Sequence, residues 1–289
     1  MEVKIKAPAK INLTLEVLGK RPDGYHNIST VMQAVDLYDI ITITDNDSGK
    51  VTISCNYSGV PCDDSNICVK AAYRFFDYNK MEVKGIHIDI DKKIPTQAGL
   101  AGGSSDGAAV IMGLNSMFGA MLKPADMNAI GERVGADVPF CIEGGTKLCT
   151  GIGTTIKNLP SFHCTSIVIC KPDSVNVSTG EAYQKVDALA PHPSYTDEMV
   201  KALYSRDMFM ISTTIFNDFE LALQIPEVNE IKGVMLKSKA KGVGMSGSGS
   251  AVFALFTSKR SAQKCYDTLK ETYPETFLCK PIKIGCSVE

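Results

Sequence analysis

Residues 2–19, EVKIKAPAKINLTLEVLG, alternate apolar and polar positions with the period of a strand. Asp23-Gly24, within RPDGYH, marks a turn. Residues 37–45 and 51–57 read as two further strands, separated by the polar stretch from Asp45 to Gly49. Residues 66–79 predict a helix, and IHIDID at 86–91 alternates as a strand. A glycine-rich loop then opens into a helix reaching to about 118, on which Ala108, Ile111, Leu114 and Phe118 recur at helical spacing. Residues 124–134 predict another helix, stopped by Gly135.

The second half begins near Phe162. IVIC at 167–170 reads as a buried strand, followed by helical patterns near 196–204, 215–223 and 226–237. VGMSGSGSAVFALF at 243–256 is a second glycine-rich loop running into a strand. Residues 259–272 form an amphipathic helical pattern, and 277–284 a last strand. Strands and helices are interspersed without a strict βαβ rhythm, which predicts an α+β fold. Pro160 and the polar residues around 155–162 place a lobe boundary there, giving 1–160 and 161–289.

Composition narrows the function classes. The chain has 289 residues, 44% of them hydrophobic, and a formal net charge of −2. There is no basic field to suggest nucleic acid. The N-terminal MEVKIKAPAKIN lacks the apolar core of a secretory signal. The longest apolar run, near 108–122, is interrupted by Gly113, Asn115 and Ser116, so it is not read as a membrane span. A cytoplasmic location is expected, and no obligate protein partner is evident. None of the ten cysteines forms a C-x-x-C pair, and the expectation is reduced thiols serving as small apolar residues.

The stretch PTQAGLAGGSSDGAA at 95–109 carries the first candidate chemistry. Glycine loses much conformational freedom on folding, so a cluster of them needs a reason. Ser104 or Ser105 suits the N-cap of the helix that follows. The glycines then lie at a helix N-terminus, where unpaired N–H groups and the dipole favour an anion. No lysine follows in the manner of a P-loop, and G-x-G-x-x-G does not fit. Protein-kinase signatures such as H-R-D and D-F-G are absent. The residues alone leave two readings open, a phosphate cradle or a glycine-rich helix cap.

Five segments together extend the reading. These are PAKINLTLEVLGKRPDGYH (8–26), KKIPTQAGLAGGSSD (92–106), GADVPF (135–140) with Gly144-Gly145, NDFE (217–220) and GMSGSGSAVF (244–253). In this order they resemble the GHMP superfamily of small-molecule kinases, which includes galactokinase, homoserine kinase and mevalonate kinase. AGLAGGSSD is most similar to the branch acting on 4-diphosphocytidyl-2-C-methylerythritol. The resemblance spans nearly the whole chain. It implies an N-terminal ATP-binding lobe like the second domain of ribosomal protein S5, and a ferredoxin-like C-terminal substrate lobe. It also implies ATP-dependent phosphorylation of the 2-hydroxyl of that cytidine diphosphate compound, with the site in the cleft between the lobes.

The resemblance assigns roles residue by residue. Pro95, Thr96, Gln97, Ala98, Gly99, Leu100, Ala101, Gly102, Gly103, Ser104 and Ser105 would cradle the ATP phosphates. Asp137 would accept the substrate hydroxyl proton, with Lys10 beside it as a fixed cation. Asn12, two residues on, faces the same side of the strand and would help position the same substrate group, with a purely structural amide as the alternative. Tyr25, His26, Thr179 and Tyr183 would hold the cytidine, with Ser178 lining the same pocket. Mg²⁺ is expected with ATP; no Asp/Glu pair is assigned to it, and Ser105 stands as a ligand by analogy alone. NDFE is expected to support structure, with Asn217 and Asp218 capping a helix. The sequence departs from the branch at Thr154, at GSGSA and at Gly107. Two other readings are kept: a sister kinase acting on homoserine, mevalonate or a sugar, and a non-catalytic ligand sensor.

Overall fold

A computed structural model describes residues 1–289 except 174 and 176–178. The first half runs β1 (Glu2–Lys20), β2 (His26–Asp45), β3 (Val51–Cys55), α1 (Ile67–Tyr78), β4 (Ile86–Asp91), α2 (Gly102–Met117), α3 (Pro124–Glu132), α4 (Val138–Glu143), β5 (Thr146–Gly151) and β6 (Thr155–Asn158). The second half continues with β7 (Ser166–Cys170), α5 (Thr179–Val186), α6 (Tyr195–Ser205), α7 (Met208–Thr213), β8 (Phe216–Asn217) and α8 (Asp218–Leu223). It closes with α9 (Pro226–Lys237), β9 (Gly242–Met245), β10 (Val252–Phe256), α10 (Lys259–Lys270), β11 (Thr276–Cys279) and β12 (Ser287–Val288).

Two sheets organise these elements. The first has eight strands along the path β12-β1-β2-β4-β3, with β5 and β6 extending from β2 and with β8 parallel to β1. The second is antiparallel in the order β11-β7-β10-β9. Numbered within its own βαββαβ unit, that order is 4-1-3-2, the ferredoxin-like arrangement.

Burial explains the long hairpin. From Ala7 to Glu16 every residue of β1 is buried on both faces of the sheet. On one side α1 and α2 press Phe75, Phe76 and Ile111 against Ile5, Ile41, Ile43 and Ile88. On the other, Ile11, Leu13 and Val31 share a core with Ile169, Phe253 and Leu203 of the second half. A third core lies on the far face of the second sheet, under α9 and α10.

Several expectations shift. β2 starts at His26, well before residue 37. The segment 215–223 is a two-residue strand followed by α8. The last predicted strand ends at Cys279, and the chain then crosses back to pair β12 with β1. Short α4, β5, β6, α5 and α7 carry too few periods to be read from the sequence. All ten cysteines are free thiols. Burial pushes Cys149 and Cys286 up to about 12, so both stay neutral.

Candidate active site

The glycine-loop region is built by backbone conformation. Gln97, Gly99 and Ala101 all adopt positive φ, at 51°, 72° and 56°. The helix N-cap is Ala101, with no side-chain cap, and α2 begins at Gly102. Ser104 and Ser105 therefore lie inside the first turn rather than capping it. The left-handed turn performs the helix entry that a serine cap was expected to make. No acidic side chain sits in the first turn of α2, so its free N–H groups face no built-in carboxylate competitor.

This loop stands between two cavities. One, of about 440 Å³, is bounded by the loop, Pro61, Asn66 and Lys92. The other, of about 400 Å³, is bounded by Lys10, Asn12, Asp137, Tyr183, Phe219 and Gly247. Gln97, Gly99, Ala101 and Ser104 line both.

Lys10 and Asn12 enter the second cavity from β1. Register shifts at Pro8/Ala9 and Asn12/Thr14 flank them, and such irregularities re-aim strand side chains. The buried Lys10 ammonium donates to Asn12 Oδ1 at 2.5 Å and lies 3.9 Å from Asp137 Oδ2. Asp137 is the N-cap residue of α4, with Pro139 in the helix's first turn, and its side chain is 29% exposed on the cavity side. Asn12 Nδ2 donates to Thr30 Oγ1 at 2.8 Å, and Gly247 N donates to Asn12 Oδ1 at 2.9 Å. The Asn12 amide is thus engaged at both ends by the protein.

The second glycine loop packs backbone on backbone against the first. Ser246 Oγ donates to Gly99 O at 2.9 Å, and Ala251 N donates to Ala98 O at 3.1 Å. A Cβ on Gly99 would lie 1.9 Å from Ser246 O. Gly99→Ala is therefore expected to destabilise the protein by more than the roughly 1–2 kcal/mol of a left-handed alanine alone. Urea unfolding checks this, and a cost below that range would mean the loops are not in mutual contact.

The other expected residues divide. His26 stacks on Tyr183 with centroids 4.4 Å apart, and its Nε2 lies 2.9 Å from Asp187 Oδ1. Tyr183 meets Phe219 edge-on at 4.9 Å. Burial pushes the Tyr183 phenol up from its ordinary value. Tyr25 stands 61% exposed on the tight turn joining β1 and β2 and lines neither cavity. Thr179 opens α5, but its side chain and all of Ser178 lie outside the described residues. Ser105 is fully buried; its hydroxyl donates to Pro8 O at 2.8 Å and lines neither cavity. Among the described residues, no three His, Cys, Asp or Glu side chains gather as a metal site.

Sequence reasoning missed an ionic network beside the first cavity. Lys92 Nζ lies 2.6 Å from both Asp39 Oδ2 and Asp106 Oδ2, and all three side chains are almost completely buried. Asp39 Oδ1 also accepts from Lys93 N and Ile94 N, at 2.6 and 2.8 Å. Burial opposes the Lys92 ammonium, but Asp106 and Asp39 outweigh it and hold its pKa above the ordinary lysine value. Burial also holds the Asp106 carboxyl well above the usual carboxylate range. The sequence signal was the lysine of KKI, with partners 53 and 14 residues away.

The description "GHMP kinases N terminal domain" matches residues 66–145, and "GHMP kinases C terminal" matches 199–275. The chain belongs to the GHMP kinase family. Relatives of this GHMP kinase include the 4-diphosphocytidyl-2-C-methyl-D-erythritol kinase of Clostridium kluyveri. That protein is 41% identical over 282 residues, covering 96% of this chain and 99% of the relative. The enzyme of the same name from Thermoanaerobacter pseudethanolicus is 41% identical, covering 98% of each. A crystal structure of a 4-(cytidine 5'-diphospho)-2C-methyl-D-erythritol kinase superposes with a TM-score of 0.80 at 28% identity, covering 97% of this chain and 99% of that one. Homoserine kinase from Cytophaga hutchinsonii also reaches 0.80, at 22% identity, covering 100% of this chain and 97% of that one, a likeness of fold. Among the described residues, no helix of this GHMP kinase is long and apolar enough to cross a membrane.

Proposed function

We propose that this kinase transfers the γ-phosphoryl group of ATP to the 2-hydroxyl of 4-diphosphocytidyl-2-C-methylerythritol. The products are the 2-phosphate and ADP, in the non-mevalonate route to isopentenyl diphosphate. The observation that carries the reading is the glycine loop walling two cavities at once. ATP occupies the side of Pro61 and Lys92 and lays its phosphates on the loop and the start of α2. The acceptor occupies the side of Lys10 and Asp137. The likeness to the named relatives over nearly the full chain supports the choice of substrate.

Phosphoryl transfer needs in-line placement and charge stabilisation more than covalent chemistry. Asp137 orients the acceptor hydroxyl and takes its proton as the O–P bond forms. Lys10, held by Asn12, supplies a fixed positive charge where the attacking and transferred oxygens meet. Mg²⁺, when bound, would be held chiefly by the triphosphate and would neutralise phosphate charge, in keeping with its usual reliance on substrate phosphates and few carboxylates. Cytosine would lie at the aromatic end, against the His26–Tyr183 pair, with Tyr25 exposed on the adjoining turn. The lobe division at residue 160 belongs to the same reading, with β8 and β12 returning from the second lobe to the first sheet.

The test is ADP release from ATP and Mg²⁺ with and without 4-diphosphocytidyl-2-C-methylerythritol. Substrate-dependent ADP supports the reading. Turnover of homoserine or mevalonate instead would move the substrate to a sister kinase. Thermal stabilisation by CDP without turnover of any substrate would indicate a sensor.

A further inference from the structure

Asn217 lies outside the reacting groups, yet its amide is fully employed between them and the aromatic end. It is buried, and β8 holds it parallel to β1, with Leu15 opposite Asn217. Its Oδ1 accepts from Phe219 N at 2.9 Å and so caps α8. Capping would satisfy one end of the side chain. The other end does something a cap does not require: Nδ2 donates to Met245 O and Gly247 O, each at 2.8 Å.

Gly247 is thereby gripped from two directions. Its carbonyl is held by Asn217, and its N–H is held by Asn12 Oδ1 at 2.9 Å. The same Asn12 oxygen receives the Lys10 ammonium at 2.5 Å. Gly247 has φ of +55°, and a Cβ there would lie 2.9 Å from Gly99. The loop has no slack in which to adjust alone. A shift of Gly247 would take a donor from the oxygen that fixes Lys10 and would push on the loop between the cavities.

We infer that Asn217 is a positioning residue for phosphoryl transfer, setting the place of Gly247 and through it the Asn12 oxygen and the Lys10 ammonium. The inference rests on the kinase reading above. Phe219, whose N–H Asn217 caps, borders the acceptor cavity and touches Tyr183. One side chain therefore ties the wall at the acceptor's base to the cation at its hydroxyl.

Serine caps a helix about as well as asparagine but is too short to reach both loop carbonyls. Asn217→Ser separates the two jobs. The expected result is a fall in kcat of at least ~10-fold, with KM for both substrates changed less than about threefold and the protein still folding cooperatively, at a lowered thermal transition because two buried carbonyls lose their donor. In a double-mutant cycle with Asn12→Ala, the pair should lose little more than Asn12→Ala alone, because both act through one chain of bonds. Asn217→Thr, with the same short reach, keeps the question decidable if the serine variant does not fold. A kcat within about twofold of wild type, or losses that multiply in the double variant, would overturn the inference. No turnover by the wild type would instead sink the proposed reaction, and the inference with it.

Discussion

Asp137→Asn is expected to lower substrate-dependent ADP release by ~10²-fold or more, the usual contribution of a positioned acid–base group. The amide keeps the shape of the carboxylate but cannot take a proton. It also removes the charge facing the Lys10 ammonium at 3.9 Å. Asp137 is partly exposed and its side chain does not cap α4, so the fold should survive the change. The loss should appear in kcat with nucleotide affinity largely intact. Lys10→Met should produce a loss of similar size by a different route, because Asn12 Oδ1 then keeps Gly247 but orients no cation. Steady-state kinetics, with an unfolding curve as control, decide the matter. Activity within about threefold of wild type for Asp137→Asn would remove it as the base.

The second large effect is on stability. Lys92→Met is expected to cost about 3–5 kcal/mol, the range seen when one partner of a buried ion pair is removed. The methionine roughly preserves the volume, so the loss is electrostatic. Asp39 keeps its two backbone donors, but Asp106 Oδ2 loses its ammonium donor while its Oδ1 already lacks a partner among the described residues. Adding Asp106→Asn to Lys92→Met should recover part of the loss by removing one carboxyl from the dry site. Urea unfolding of the single and double variants measures both. A single-variant cost below about 1 kcal/mol would mean that water already reaches the network.

How far the sequence could be read depends on the range of the forces involved. Strands and helices with several periods were legible: IHIDID appears as β4 with both bounds as read, and the helices at 124–134 and 226–237 fall within a few residues. Local chemistry was legible where it depends on a few consecutive residues. The turn at Asp23-Gly24 is there, closed by Arg21 N donating to Tyr25 O at 2.7 Å. Gly113 was read as a break in an apolar run. It is a point of close approach, since a Cβ there would lie 2.5 Å from Ile5 Cδ1.

The rest depends on contacts across the chain. Nothing near Ser105 in sequence says that its hydroxyl is spent on Pro8, 97 residues away. NDFE was read as capping a helix through Asn217 and Asp218; Asn217 does so, whereas Asp218 instead accepts from Val17 N and pairs with His192. The grip of Asn217 on Gly247 requires knowing that 217 and 247 are neighbours. The stacking of His26 on Tyr183 likewise joins residues from different halves of the chain. Pattern finds such residues; only the fold says which of their atoms remain available to a substrate.

Strand β12 adds a consequence for synthesis. It pairs Ser287 and Val288 with Lys6 and Ile5, so part of one edge of β1 is covered by residues from the far half of the chain. At roughly 5–20 residues per second, a ribosome needs tens of seconds to bring the two together. Through that interval the Ile5–Lys6 edge of β1 stays open to pairing with another nascent chain. A chain truncated before Ser287 would thus leave that edge uncovered.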